Sequence, residues 1–350
     1  MYPGKYAEQN PDRSAFVMAA TGERVSYQEF EARSNRVAHY LADKGLGFQD
    51  HYSIFMENNN RYLESCAAGE RSGLYFTCIN SFLTSDELAY IINNSESQIL
   101  ITSMSKLEAA QEALAQCTAI KEVLVVGAGD ADLPEGMSDF ASTLSKYPET
   151  PLERELLGAA MLYSSGTTGR PKGIVRPLPE QSPNEPLPVI GFLSGLWRYR
   201  EDMIYLSPAP LYHSAPQAAV GLTLRMGGTV VIMERFDPAD YLRFVEEYQV
   251  SHSQLVPTMF SRMLKMPEED RTKYDLSSLE VAVHAAAPCP VLVKQQMIDW
   301  WGPIIHEYYG ATEGLGFAAC DSAEWLAHPG TVGKIVLGEL SVLDLSLIHI

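Results

Sequence analysis

The chain has 350 residues, 46% of them hydrophobic and 20% charged, which suits a globular protein with apolar material for more than one lobe. Its 44 acidic residues outweigh 26 basic ones, for a formal net charge of −18. Such a surface repels nucleic acid and anionic lipid, so no nucleic-acid partner is expected, and any phosphate must be held locally.

Taken in chain order, helical periodicity over 27–44 leads into a strand-like run at 51–56 (HYSIFM). Helical spacing returns at 61–72 and again at 85–94, where 80–85 (NSFLTS) offers N-cap residues followed by Asp86 and Glu87. A strand at 97–102 (SQILIT), a helix at 106–117 and a strand at 123–127 (VLVVG) follow. Residues 128–151 are rich in Gly, Pro, Asp and Ser and predict a seam between subdomains near 128–155. Beyond it come a strand at 159–163 (AAMLY) and an irregular stretch, 177–188, with five prolines in twelve residues. Strands at 229–233 and 279–283 flank a helix at 238–248. This alternation predicts an α/β fold with largely parallel sheets.

The five cysteines, Cys66, Cys78, Cys117, Cys289 and Cys320, form no C-x-x-C pair and read as free thiols in a reducing compartment. The first residues carry no basic region followed by an apolar core, and no run of 18 apolar residues occurs. Neither a secretory signal nor a transmembrane segment is expected, so the chain reads as cytoplasmic. Residues 345–350 (LSLIHI) stop on an apolar run without cap or turn. They are expected to be a truncated or non-native tail, because a natural domain seldom ends on an open greasy edge.

The segment most informative about chemistry follows the strand at 159–163. Ser164, Ser165, Thr167 and Thr168 supply four hydroxyls, and Gly166, Gly169 and Gly173 let the backbone approach a ligand closely. Lys172, after Pro171, adds a point charge. The spacing is not G-x-x-x-x-G-K-[ST], which disfavours a conventional P-loop NTPase. A flexible surface turn would need none of these residues together, so the segment is read as a phosphate cradle for ATP.

The segment YSSGTTGRPKG (163–173) closely resembles the phosphate-loop signature of the adenylate-forming superfamily: acyl-CoA synthetases, aryl-CoA ligases, luciferases and peptide-synthetase adenylation domains. Three further segments match in order, so the resemblance covers residues 1–344. Tyr309, Gly310, Ala311, Thr312 and Glu313, preceded by Tyr308, look like the Y-G-x-T-E motif. The resemblance implies that the tyrosine packs on adenine, Thr312 contacts the α-phosphate and Glu313 holds Mg²⁺, with Thr167 as a second metal ligand. Pro210-Leu211-Tyr212-His213 resembles the P-L-x-H motif, where the histidine borders the carboxylate pocket. His213 is read first as pocket-lining, and a direct chemical role stays open. His284-Ala285-Ala286-Ala287-Pro288 matches a wall shared by adenine and acyl sites, yet carries alanines where glycines are common.

The implied fold is the large N-terminal domain of the adenylate-forming enzymes: two α/β subdomains with mostly parallel sheets plus a smaller β subdomain. The implied nucleotide-binding residues are Ser164, Ser165, Gly166, Thr167, Thr168, Gly169, Lys172, Ala286, Ala287, Pro288 and 308–313. The implied catalytic residues are Thr167, Lys172, His213 and Glu313, and the small molecules are ATP, Mg²⁺, CoA and a carboxylic acid. The substrate carboxylate would attack the α-phosphorus and expel pyrophosphate, and a thiol would then displace AMP. Because the carboxylate is already a nucleophile, the protein need only position it and neutralise charge. The family's small C-terminal domain and its lysine are not found before residue 350, so little or no catalysis is expected of this chain alone.

The stretch 215–223 (APQAAVGLT) offers no carboxylate for a substrate amine, and its small residues favour a fatty acid over an amino acid. An aryl acid, or a non-catalytic nucleotide- or acyl-binding module, remains an alternative. The sequence leaves oligomeric state open.

Overall fold

The computed structural model describes residues 1–164, 170–314 and 316–339. They form two compact units, one of residues up to 236 and one from 237 onward. The architecture is α/β with mostly parallel strands.

In the first unit a six-stranded sheet runs in the order Met137–Asp139, Glu122–Val126, Ile99–Ser103, His51–Phe55, Tyr75–Cys78, Ala159–Ala160, with every pairing parallel. Its central strands are buried on both faces and read as near-continuous apolar runs, which is what helical crossovers on a parallel sheet require. The helices begin where the sequence says they should. Ser26 and Glu29 form a capping box at Tyr27–Asp43, and Thr84 and Glu87 form another at Ser85–Asn94. Such a cap contributes about 1 kcal/mol. Leu88, Ala89, Ile91 and Ile92 of the latter helix pack with Phe55, Leu100 and Val125 of the sheet.

Four further strands of this unit lie in the order Arg24–Ser26, Ser14–Met18, Thr229–Ile232, Ile204–Ser207. The glycine- and proline-rich segment 128–151 falls within the first unit and carries Met137–Asp139 and the short helix Phe140–Leu144. The proline-rich stretch is irregular until Pro188, which starts the helix Pro188–Trp197 at a position where its missing N–H costs nothing.

One expected strand is divided. Residues 159–163 do not run on as one element: Ala159–Ala160 joins the parallel sheet, and Leu162–Ser164 pairs antiparallel with Lys172–Ile174. Met161 marks the change. Its N–H still bonds Phe76 O at 3.0 Å, while its side chain is buried with Tyr75 and Leu178.

The second unit holds strands His252–Leu255, Val281–His284, Ile305–Gly310, Phe317–Cys320 and Lys334–Leu337 in that order. The first two of these pairings are parallel and the last two antiparallel. The strand expected at 279–283 begins two residues later, at Val281, because Leu279 N–H closes a turn on Leu276 O. Asp237 caps the helix Pro238–Tyr248 through the N–H groups of Ala239 and Asp240.

Candidate active site

Ser165, Gly166, Thr167, Thr168 and Gly169 lie outside the described residues. Their two flanks are well defined. Ser164 and Lys172 are Cα partners across the hairpin, followed by Tyr163 with Gly173 and Leu162 with Ile174. The exposed Lys172 thus stands beside the residue that opens the hydroxyl run. A Cβ at Gly173 would meet Met161 Cε at 2.4 Å and Tyr163 Cζ at 3.0 Å, so a side chain there would require the end of the Met161 side chain to move.

Both flanks are held by the helix Ser85–Asn94. Tyr163 donates its hydroxyl to Asn94 Oδ1 at 2.7 Å, and Tyr90 donates to Pro171 O at 3.1 Å. The Arg170 guanidinium lies 5.0 Å from the Tyr90 ring centre. Burial, with Tyr90 nearby, raises the Tyr163 phenol well above its usual pKa, so it remains a donor.

Asn58, buried, fixes the turn that carries His213. Its amide donates to Met233 O at 2.9 Å and to Ala209 O at 3.2 Å, and its oxygen accepts from Leu211 N–H at 2.9 Å. His213 is then the N-cap of Ser214–Arg225, with Tyr212 4.3 Å away between ring centres. The imidazole is open to solvent on one side, while desolvation by the surrounding protein lowers its pKa, so it is neutral near pH 7. The same helix is tied to the sheet by Gln217, whose amide donates to Cys78 Sγ at 2.8 Å. The helix has no carboxylate along its length.

In the second unit, Tyr308 and Tyr309 project to opposite faces of one strand. Tyr308 is engaged internally: it stacks on Phe317 at 4.9 Å and its hydroxyl accepts from Gln254 Nε2 at 2.9 Å. Tyr309 is 60% exposed. Gly310, Ala311 and Glu313 are exposed, and no ion pair engages Glu313 among the described residues. Ala286, Ala287 and Pro288 are exposed just past the end of Val281–His284, and Ala286 has a left-handed backbone with φ 74°. Of the candidate residues, Ser164, Lys172 and His213 belong to the first unit and Ala286–Pro288 and Tyr308–Glu313 to the second.

The profile of the AMP-binding enzymes matches residues 5–347. The chain belongs to the AMP-binding enzyme family. Among relatives of this chain, a 4-coumarate–CoA ligase of Petroselinum crispum is 28% identical over 282 residues, which are 79% of this chain and 50% of that protein. A medium/long-chain-fatty-acid–CoA ligase of Mycobacterium tuberculosis is 27% identical over 291 residues, 80% of this chain and 49% of that one. The chain therefore spans about half the length of these curated relatives. The fold is also that of the N-terminal domain of FACL13 from Mycobacterium tuberculosis, solved with a bound inhibitor. That comparison has a TM-score of 0.79 at 21% identity and covers 95% of this chain and 81% of the other.

Sequence reasoning missed the residues that hold the motifs in place. Tyr90 and Asn94 are spaced i, i+4, which is the sequence signal for a shared helix face, but nothing local says what they face. Asn58 sits in a Glu-Asn-Asn-Asn run that marks a loop and no more. Nothing in the sequence marks Lys294 and Glu307, residue types that are almost never fully buried, yet both are buried.

Proposed function

We propose that this AMP-binding enzyme activates a carboxylic acid with ATP to an acyl-adenylate, which then passes to CoA as a thioester. The observation that carries the reading is the hairpin that sets Lys172 beside Ser164 at the two ends of the Ser/Thr/Gly run. A cation paired with backbone and hydroxyl donors suits the triphosphate of ATP in a protein whose net charge would otherwise repel it. In this reading 164–169 and Lys172 hold phosphates, Tyr309 and Ala286–Pro288 take the adenine, and Thr312 takes the α-phosphate.

Glu313 suits Mg²⁺. It is an exposed carboxylate with no ion pair among the described residues, and Mg²⁺ favours one or two carboxylates with phosphate oxygens and water. Among the described residues no group of three or more His, Cys, Asp or Glu side chains could hold a metal alone, which fits a site completed by Thr167 and the nucleotide. The ion would neutralise phosphate charge as the α-phosphorus is attacked. The protein's own residues need only orient the acid, with His213 neutral at the pocket mouth and therefore no counter-charge to the attacking carboxylate.

The helix Ser214–Arg225, small-residue and without a carboxylate, supports a fatty acid. The likeness to a 4-coumarate–CoA ligase supports an aryl acid as the second reading. The test is exchange of labelled pyrophosphate into ATP, run with a panel of aliphatic and aryl acids. In a protein of the full length of its relatives, acid-dependent exchange that disappears in Lys172→Met is expected, with little or none from residues 1–350 alone. Acid-independent release of ADP would point to an ordinary ATPase and overturn the proposal.

A further inference from the structure

In the second unit, Lys294 Nζ donates to Glu307 Oε2 at 2.5 Å, and both side chains are buried. The ammonium lies 5.1 Å from the Trp325 ring centre. His284 Nε2 stands 3.4 Å from the same carboxylate oxygen, with Phe260 edge-on to the imidazole at 5.4 Å. The thiols of Cys289 and Cys320 are close enough to feel both charges. Three elements meet here: the helix Val291–Trp301 through Lys294, the strand Ile305–Gly310 through Glu307, and the end of Val281–His284 through His284.

We propose that the Lys294–Glu307 pair, with His284 beside it, is a positioning device for the nucleotide-binding segments. The inference rests on the reading of this chain as an ATP-binding enzyme and assigns it residues that reading does not use. His284 and Glu307 are register partners across the parallel ladder. One residue past His284 begins the Ala285–Pro288 wall, and two residues past Glu307, on the same face of the strand, comes Tyr309. The pair thus ties the helix Val291–Trp301 to the strand Ile305–Gly310 just before one nucleotide segment leaves the sheet, with His284, at the start of the other segment, packed beside the same carboxylate. Stability alone does not explain an ion pair there. Burying two charges is costly, and well-packed apolar residues of similar volume hold a core as well or better. What apolar packing lacks is direction, whereas a charge-assisted hydrogen bond fixes one separation and one register.

The test uses the chain as it stands, with the melting temperature and the dissociation constants for ATP and for the acid measured on each variant. Lys294→Met combined with Glu307→Leu replaces the pair by apolar groups of similar volume. It is expected to melt at or above the parent's temperature, to bind ATP about tenfold more weakly, as for residues that support ligand-contacting groups, and to bind the acid as before. Unchanged ATP affinity in that folded variant overturns the proposal. Should the double variant not fold, Lys294→Gln combined with Glu307→Gln decides: it removes both charges while keeping polar groups of similar size, and a fold that binds ATP as the parent does overturns the proposal equally. A parent that binds no ATP is a separate outcome, which removes the functional reading and this inference with it.

Discussion

Tyr90 and Asn94 stand one turn apart on a single helix and hold opposite flanks of the phosphate-loop segment, Tyr90 through Pro171 O and Asn94 through the Tyr163 hydroxyl. A loop of small residues gains little rigidity from its own side chains. The helix, itself capped by Thr84 and packed on the sheet, anchors Tyr163 on one side of the segment and Pro171 on the other.

Removing either tie therefore acts on ATP rather than on the fold. Tyr90→Phe keeps the ring under Arg170 and loses the bond to Pro171. Asn94→Ala frees the Tyr163 hydroxyl. Each costs about 1 kcal/mol of positioning, or about a fivefold rise in the ATP dissociation constant. Because both variants loosen one segment, the double variant should fall short of the product of the two effects. Calorimetric titration with ATP measures this. An ATP affinity indifferent to both substitutions would show that the segment needs no external support.

Asn58 has a structural role of different size. Asn58→Ala leaves the Leu211 N–H without its acceptor and two carbonyls without their donor, all in the interior. The expected loss is about 3 kcal/mol. Asn58→Asp keeps an acceptor for Leu211 but turns a carboxylate toward Ala209 O and Met233 O, so it should be at least as damaging. Urea unfolding of both variants gives the answer, and a loss below about 1 kcal/mol for either would mean the His213 turn is held by other contacts.

The chemistry-bearing segments were legible because their logic is local. A strand leading into hydroxyls, glycines and a Pro-Lys pair can be read from eleven consecutive residues, 163–173. The same holds for the helix start at Thr84, whereas the helix that begins at Pro188 was hidden at the end of a proline-rich stretch read as irregular. The supports were not legible because their partners are remote. Asn58 reaches residues more than 150 positions away, and nothing near it in sequence marks it as buried. Glu307 and Lys294 belong to residue types that are almost never fully buried, so no sequence pattern points to them as interior groups. The break at Met161 escaped because an apolar run carries no mark of the point where it changes sheet.

Ala286 is a place where sequence and backbone disagree, and the disagreement can be measured. Its φ of 74° is one that L-residues with a Cβ adopt at a cost of about 1–2 kcal/mol, and glycine relieves it. Glycine also loosens the unfolded chain, which returns part of the gain. Ala286→Gly is thus expected to stabilise the protein by about 0.5–1 kcal/mol in urea unfolding, and Ala286→Val to destabilise it by more than that. A destabilised glycine variant would mean that the methyl group makes packing contacts outweighing the strain.

His284 makes stability depend on pH in a predictable direction. Burial first, and the Lys294 ammonium second, push its imidazole from 6.5 down to about 3. The folded protein keeps the ring neutral while the unfolded chain protonates it, so the contribution is complete above pH 6.5 and is lost as pH falls toward 3. Between about pH 6.5 and about pH 4.5 the slope approaches one proton, a loss of about 2–3 kcal/mol from this residue. His284→Gln has nothing to titrate, so its urea-unfolding free energy plotted against pH should be flatter than the parent's by that one proton, whatever its stability at neutral pH. Parallel curves for parent and variant would mean that the folded protein accepts a proton on His284, which would require the Glu307 carboxylate to turn from Lys294 toward the imidazole.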